Sequence, residues 1–122
     1  MLKYVSHFSY TGEAWERMIK RPGNRANAAR QLIEGIGGEM EAFYWMLGDW
    51  DGLVLYRVPD VASAAALAGR VTSSGLLKGI STHQLMSSDE GHEALLKAKA
   101  AAAAYHPPGT QRGWHSDYEL EL

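Results

Sequence analysis

Two histidines, His7 and His83, are the residues of this chain best suited to acid–base chemistry or to metal binding. Imidazole titrates closest to neutral pH, and both residues lie in segments whose other side chains are mostly apolar or small. Asp51 or Tyr56 could complete such a site as a further polar group. Since no spaced motif such as H-E-x-x-H accompanies them, we favour two hydrogen-bonded strand histidines and expect no bound metal.

Four aromatic residues near the middle of the chain could line an apolar pocket, or could pack in a core or an interface. They are Tyr44, Trp45, Trp50 and Tyr56. Asp49 and Asp51 lie between them in a glycine-flanked segment. There, bonding to backbone N–H groups is commoner than a carboxylate pair acting in catalysis. We assign no catalytic residue. The predicted ligand-binding residues are His7, Tyr44, Trp45, Trp50, Asp51, Tyr56 and His83.

The elements that must position these residues follow from the hydrophobic pattern. Strands are predicted over residues 2–10, 39–47, 53–58 and 77–86, and helices over residues 12–20, 25–36, 60–74 and 88–104. Trp15, Met18 and Ile19 share one face of the first helix. The order β-α-β-β-α-β is the ferredoxin-like pattern, an α+β fold with two helices on one face of a four-stranded antiparallel sheet. We expect a domain over residues 1–105, including a C-terminal helix, and a tail over residues 106–122.

The two middle strands are apolar on both faces. Phe43, Trp45 and Leu47 alternate with Tyr44 and Met46, although a sheet with one wet face should alternate apolar and polar residues. Helices can cover only one face, and a monomer rarely exposes an apolar patch of this size. The sequence therefore predicts a homodimer or larger homo-oligomer that pairs through the open face.

The segment between these strands has glycine at both ends, which suits a β-hairpin. We expect Gly48 and Gly52 to adopt backbone conformations that other residues resist.

Composition excludes several classes of function. The 122 residues include no cysteine, so disulfides and thiolate chemistry are impossible. The start of the chain lacks the layout of a signal peptide, and no apolar run is long enough to span a membrane, which predicts a cytoplasmic protein. A net charge of −2 argues against nucleic acid as a partner. We interpret the basic residues 17–30 as a solvated helix face, and we expect no cofactor.

The predicted hairpin also carries a family resemblance. Its sequence Gly48-Asp49-Trp50-Asp51, after Gly37-Gly38 and Phe43-Tyr44-Trp45, resembles the signature of the GYD domain family. Other landmarks are Tyr10-Thr11-Gly12-Glu13, Pro22, Arg25, Pro59-Asp60 and Thr82 to Leu85. Trp50 stands where the family more often has tyrosine, so the aromatic ring is kept and the phenol is lost. The resemblance implies a ferredoxin-like, dimeric α/β-barrel protein and carries over no established activity.

Two functions fit these observations. The first is small-molecule binding in a pocket between the open sheet face and a dimer partner, with or without catalysis. The alternative is an interaction or regulatory module, without catalysis, whose sheet face and C-terminal arm bind other protein chains.

Overall fold

Strands and helices alternate along the chain in a computed structural model, which describes residues 1–109. The chain divides into two compact units, Met1–Leu85 and Met86–Leu122. The elements of the first unit are β1 (Leu2–Tyr10), α1 (Gly12–Lys20), α2 (Arg25–Gly35), β2 (Glu39–Trp45), β3 (Gly52–Val58), α3 (Val61–Thr72) and β4 (Leu77–Leu85). The predicted order β-α-β-β-α-β is confirmed, with the first helical segment divided into α1 and α2 around Pro22.

The four strands form one antiparallel sheet in the order β2-β3-β1-β4. The register places Tyr4 of β1 opposite Tyr56 of β3, and His7 of β1 opposite Leu53 of β3. On the other side of β1, His7 lies opposite Ser81. Because paired residues of an antiparallel sheet point to the same face, this register fixes which side chains lie on each face.

Side-chain caps set the start of the three helices. Thr11 accepts a hydrogen bond from the backbone N–H of Ala14 at the start of α1, at 3.2 Å. Asn24 does the same for α2, and Asp60 does so for α3. Pro22 lies between α1 and α2, where its missing N–H prevents a continuous helix. The starts of these helices are therefore determined by residues close to them in the sequence.

The core lies on the face of the sheet that the helices cover, which we call the helix face. Its strand residues include Tyr4, Phe8 and Tyr56, and Val58 is fully buried. The helices contribute only three buried residues to this core cluster, namely Ile33, Ala64 and Leu67. The strands contribute five residues to the same cluster, so most of the buried core comes from the sheet.

The two hairpin glycines are required for different reasons. Gly48 has a φ of 123°, which confirms the expected left-handed backbone. The same expectation is wrong for Gly52, whose φ is not positive. A Cβ atom at Gly52 would lie 2.6 Å from the ring of Phe8, so glycine is needed there because Phe8 occupies the space.

The second unit begins with α4 (Ser88–Ala100), followed by a short 3-10 helix at Ala102–Ala104. Ser87 and Glu90 form a reciprocal capping box at the start of α4. The predicted boundary at residue 105 stays a prediction, and the predicted tail lies mostly outside the described residues. Within residues 1–109, no helix is long and apolar enough to cross a membrane.

Candidate functional site

A cavity of about 980 Å³ lies between the helix face of the sheet and the three helices of the first unit. Ser6, Phe8 and Tyr56 of the sheet form part of its floor, Trp15 of α1 lines one side, and Ala68 of α3 lines another. Its volume falls at the upper end of the range for small-molecule sites, which is about 300–1,000 Å³.

The cavity follows from the distribution of small residues in the helices. α2 contacts mainly β2, whereas α3 contacts β3 and β4, so the helices cover different parts of the sheet. The side chains that face the gap from α2 and α3 include Ala28, Ala29 and Ala68. Alanine cannot reach across the space between two helices, and protein interiors are otherwise filled to crystal-like density. The space therefore stays open.

Aromatic rings form a continuous wall along one side of this cavity. The ring of Trp15 lies 5.7 Å from that of Trp45, and Trp45 lies 5.8 Å from Phe43. Tyr10 lies 6.1 Å from both tryptophans. Trp45 is 51% exposed although it faces the helices, because no helix side chain covers it fully. Such a wall suits a flat apolar ligand.

The floor of the cavity holds a small polar network. The Ser6 hydroxyl lies 2.8 Å from the Tyr56 hydroxyl and 2.8 Å from the Thr82 hydroxyl. Burial raises the pKa of Tyr56, and the hydrogen bonds from Ser6 and Thr82 only partly oppose that effect. Tyr56 is therefore neutral near pH 7 and can both donate and accept a hydrogen bond.

Asp51 positions part of the aromatic wall. Its carboxylate accepts a hydrogen bond from the backbone N–H of Tyr10 at 2.8 Å and from the Trp15 indole N–H at 3.3 Å. The sequence predicted bonding to local backbone groups of the turn. The structure instead shows a bond to a backbone N–H of β1, 41 positions away, so Asp51 connects the hairpin to β1 and α1.

The two histidines lie together on the opposite face of the sheet, which we call the open face. The rings of His7 and His83 are 6.3 Å apart, and the Trp50 ring lies 6.0 Å from that of His7. The Ser81 hydroxyl lies 2.7 Å from Nε2 of His83. Among residues 1–109, no group of three or more histidine, aspartate or glutamate side chains is arranged to hold a metal ion.

The seven predicted ligand-binding residues therefore divide between the two faces. By register, His7, Tyr44 and His83 share the open face, whereas Trp45 and Tyr56 point into the cavity on the helix face. Trp50 lies beside His7, and Asp51 lies at the sheet end beneath Trp15.

Sequence reasoning missed the cavity residues Tyr10, Trp15 and Phe43 as members of a site. The available signal was the apolar face of the first helix, which holds Trp15 and Ile19. No sequence pattern indicated that this face stays uncovered, yet Ile19 is 72% exposed.

Comparison with known proteins places the chain in a family. One solved structure, an AsnC family transcriptional regulator from Agrobacterium tumefaciens, is similar at 20% identity and a TM-score of 0.49, over 71% of this chain and 51% of that chain. The chain thus spans about half the length of that regulator. No curated protein compared with the chain matches it. The sequence profile of the GYD domain matches residues 4–95, so the chain belongs to the GYD domain family.

Proposed function

We propose that this protein binds a small apolar molecule in the cavity between sheet and helices, and that two copies pair through their open faces. The main support for ligand binding is the 980 Å³ cavity with its aromatic wall. The pocket of the sequence hypothesis lay at the open face instead. Moving the ligand to the helix face leaves the open face for the homodimer.

The energetics support an occupant for the cavity. Trp15, Ile19 and Trp45 all line the cavity and each exposes a third or more of its surface. Removing apolar surface from water contributes about 25 cal/mol per Å². A ligand that covers these three side chains gains that contribution without moving the sheet.

Ligand binding can be tested with pyrenebutanol, a neutral apolar probe whose pyrene ring accepts excitation energy from tryptophan. Trp15 and Trp45 line the cavity, so a bound probe should quench their emission. The double variant Ala29→Phe/Ala68→Phe fills the cavity from α2 and α3, and should weaken binding by roughly tenfold or more, since overfilled sites exclude ligands.

The matched control is Ala62→Phe/Ala66→Phe, which places two phenylalanines on exposed positions of α3. It should bind pyrenebutanol as the original protein does. Equal affinity of the cavity-filled variant and the original protein would reject the cavity as the site, as would the lack of any binding to the original protein.

The homodimer rests on the open face. Its central side chains Val5, Leu53 and Leu55 are apolar and only partly buried, and Tyr44 is 59% exposed. A stable interface buries about 800 Å² on each partner and is more apolar at its centre. In a dimer with two-fold symmetry, the open face of one copy packs against the open face of the other.

The dimer is checked by light scattering at micromolar concentration. Leu53→Lys introduces a charge at the centre of the open face and should give a folded monomer. Val61→Lys, at an apolar position of α3 that is 61% exposed, should stay dimeric. A monomer mass for the original protein would contradict this part of the proposal alone.

A further inference from the structure

Four arginines are among the residues that line the cavity on its helix side. Arg17 and Arg21 come from the end of α1 and the turn after it, Arg25 from the start of α2, and Arg70 from α3. Within the described part of the chain, the cavity lining includes no aspartate or glutamate. The chain as a whole carries a net charge of −2, so this group of like charges is a local feature.

Among the described residues, three of these arginines have no carboxylate partner. Arg17 pairs with Glu13 at 2.8 Å on the surface of α1. For Arg21, Arg25 and Arg70, no ion pair within 4.0 Å occurs among residues 1–109. Guanidinium groups bind carboxylates and phosphates through paired N–H groups.

The start of α2 adds to the same positive potential. Asn24 and Arg25 both line the cavity at the N-terminus of this 11-residue helix, where backbone N–H groups give a partial positive charge. The first turn of α2 holds no acidic residue to offset it. In α4, by contrast, Asp89 and Glu90 occupy the first turn.

We propose that the ligand is an apolar molecule with one anionic headgroup, a carboxylate or a phosphate ester, whose body lies on the aromatic wall and whose headgroup is bound by Arg21, Arg25 and Arg70. This assignment rests on the proposed function and names the class of its ligand. It revises the sequence interpretation of Arg21 and Arg25 as part of a solvated helix face. The apolar wall and the arginines lie in one cavity, which matches the two ends of such a ligand.

The test compares two probes of the same shape, pyrenebutyrate and the neutral pyrenebutanol, by quenching of tryptophan emission. It is done at an ionic strength of about 0.02 M, where exposed charges are weakly screened. The original protein should bind the acid about tenfold more tightly than the alcohol, since charge-assisted hydrogen bonds at an open site are of that strength.

The triple variant Arg21→Gln/Arg25→Gln/Arg70→Gln should lose this preference and keep its affinity for pyrenebutanol. The control Arg30→Gln/Lys97→Gln/Lys99→Gln removes the same charge from positions outside the cavity lining, and should keep the preference. Dodecanoate and dodecyl phosphate then compete with bound pyrenebutyrate, and the more potent competitor identifies the headgroup.

The possible outcomes separate the two proposals. If the original protein binds acid and alcohol equally, or if the preference survives in the arginine variant, the anionic ligand is rejected and the apolar site stands. Failure of both dodecyl anions to displace pyrenebutyrate would also reject it. If neither pyrene probe binds the original protein, both proposals fail.

Discussion

The two faces of the sheet are built from the same four strands, but they are filled in different ways. On the helix face, Tyr4, Phe8 and Tyr56 are buried, and the apolar space beyond them stays open as the cavity. On the open face, Val5 and Leu55 are only half-buried, and the charged cluster of Lys3, Glu41 and Arg57 lies at one end. The difference teaches that apolar character on both sides of a strand does not identify what covers each side. The helices cover the helix face only partly. No described element of the first unit covers the open face.

The largest expected effect compares one glycine on each face. A Cβ atom at Gly52, on the helix face, would lie 2.6 Å from the Phe8 ring, whereas one at Gly79, on the open face, would lie 3.7 Å from the Trp50 ring. Gly52→Ala should therefore lower the free energy of unfolding by about 3 kcal/mol through overpacking. Gly79→Ala should change it by less than about 0.5 kcal/mol. Urea unfolding measures both, and similar losses for the two variants would show that the faces are equally crowded.

Tyr56→Phe tests whether the polar floor of the cavity stabilises the helix face. Losing the hydroxyl bonded to Ser6 should lower the free energy of unfolding by about 1–2 kcal/mol. Tyr4→Phe is the matched control, because the Tyr4 ring stacks on Tyr56 at 5.9 Å and its hydroxyl makes only a long bond of 3.5 Å to Gln84. A larger loss for Tyr4→Phe would contradict the assignment of the network to Ser6 and Tyr56.

The pH dependence of the same residue has a definite sign. Burial raises the pKa of Tyr56 above its ordinary value of 10.0. The folded state then holds this proton more tightly than the unfolded state, so the stabilisation is fully present below pH 10 and is lost as pH rises through the folded-state pKa. Denaturant unfolding between pH 9 and pH 11 should show a steeper loss of stability for the original protein than for Tyr56→Phe. If stability falls equally with pH in the two proteins, the raised pKa of Tyr56 is not the cause.

A smaller effect is expected from the charged cluster on the open face. A hydrogen bond from Lys3, 3.0 Å away, lowers the pKa of Glu41, with a further contribution from Arg57. A lowered pKa stabilises the folded state above the ordinary value of 4.5, and this stabilisation is lost as pH falls through the folded-state pKa. Glu41→Gln should therefore melt slightly lower than the original protein at pH 7. The two melting temperatures should converge in acid, and a gap that persists below pH ~3 would argue against this origin.

The smallest effect is expected at the end of the chain. A chain ending at Gly109 should fold with a melting temperature within about 2 °C of the full chain, because termini are commonly dispensable for folding. It should also keep the mass of the full-length assembly, corrected for the residues removed. Loss of folding or of the oligomer would show that residues 110–122 contribute to one of the two faces.

Much of the fold could be predicted because its signals are local. Thr11 and Asp60 cap the helices that follow them, and Pro22 separates two helices, as their chemistry requires. Alternation along β2 correctly placed Trp45 and Tyr44 on opposite faces, since successive strand residues point to opposite sides. The register of the folded sheet then placed Tyr56 on the same face as Trp45. The order of elements predicted that β1 and β4 are neighbours, and the register of this pair then placed His7 and His83 on one face.

The candidate site could not be predicted, because it depends on distances between elements that no local pattern encodes. The sequence by itself determined the order of elements, the approximate position of each element and the family. Only the tertiary structure decided that alanines on α2 and α3 leave a cavity and that Asp51 bonds to β1. The same structure showed that Phe8 excludes a side chain at Gly52 and that three arginines from separate segments border the same opening. The physical reason is that packing volume and long-range hydrogen bonds are set by how helices lie on the sheet, whereas caps and alternation are set within a few residues.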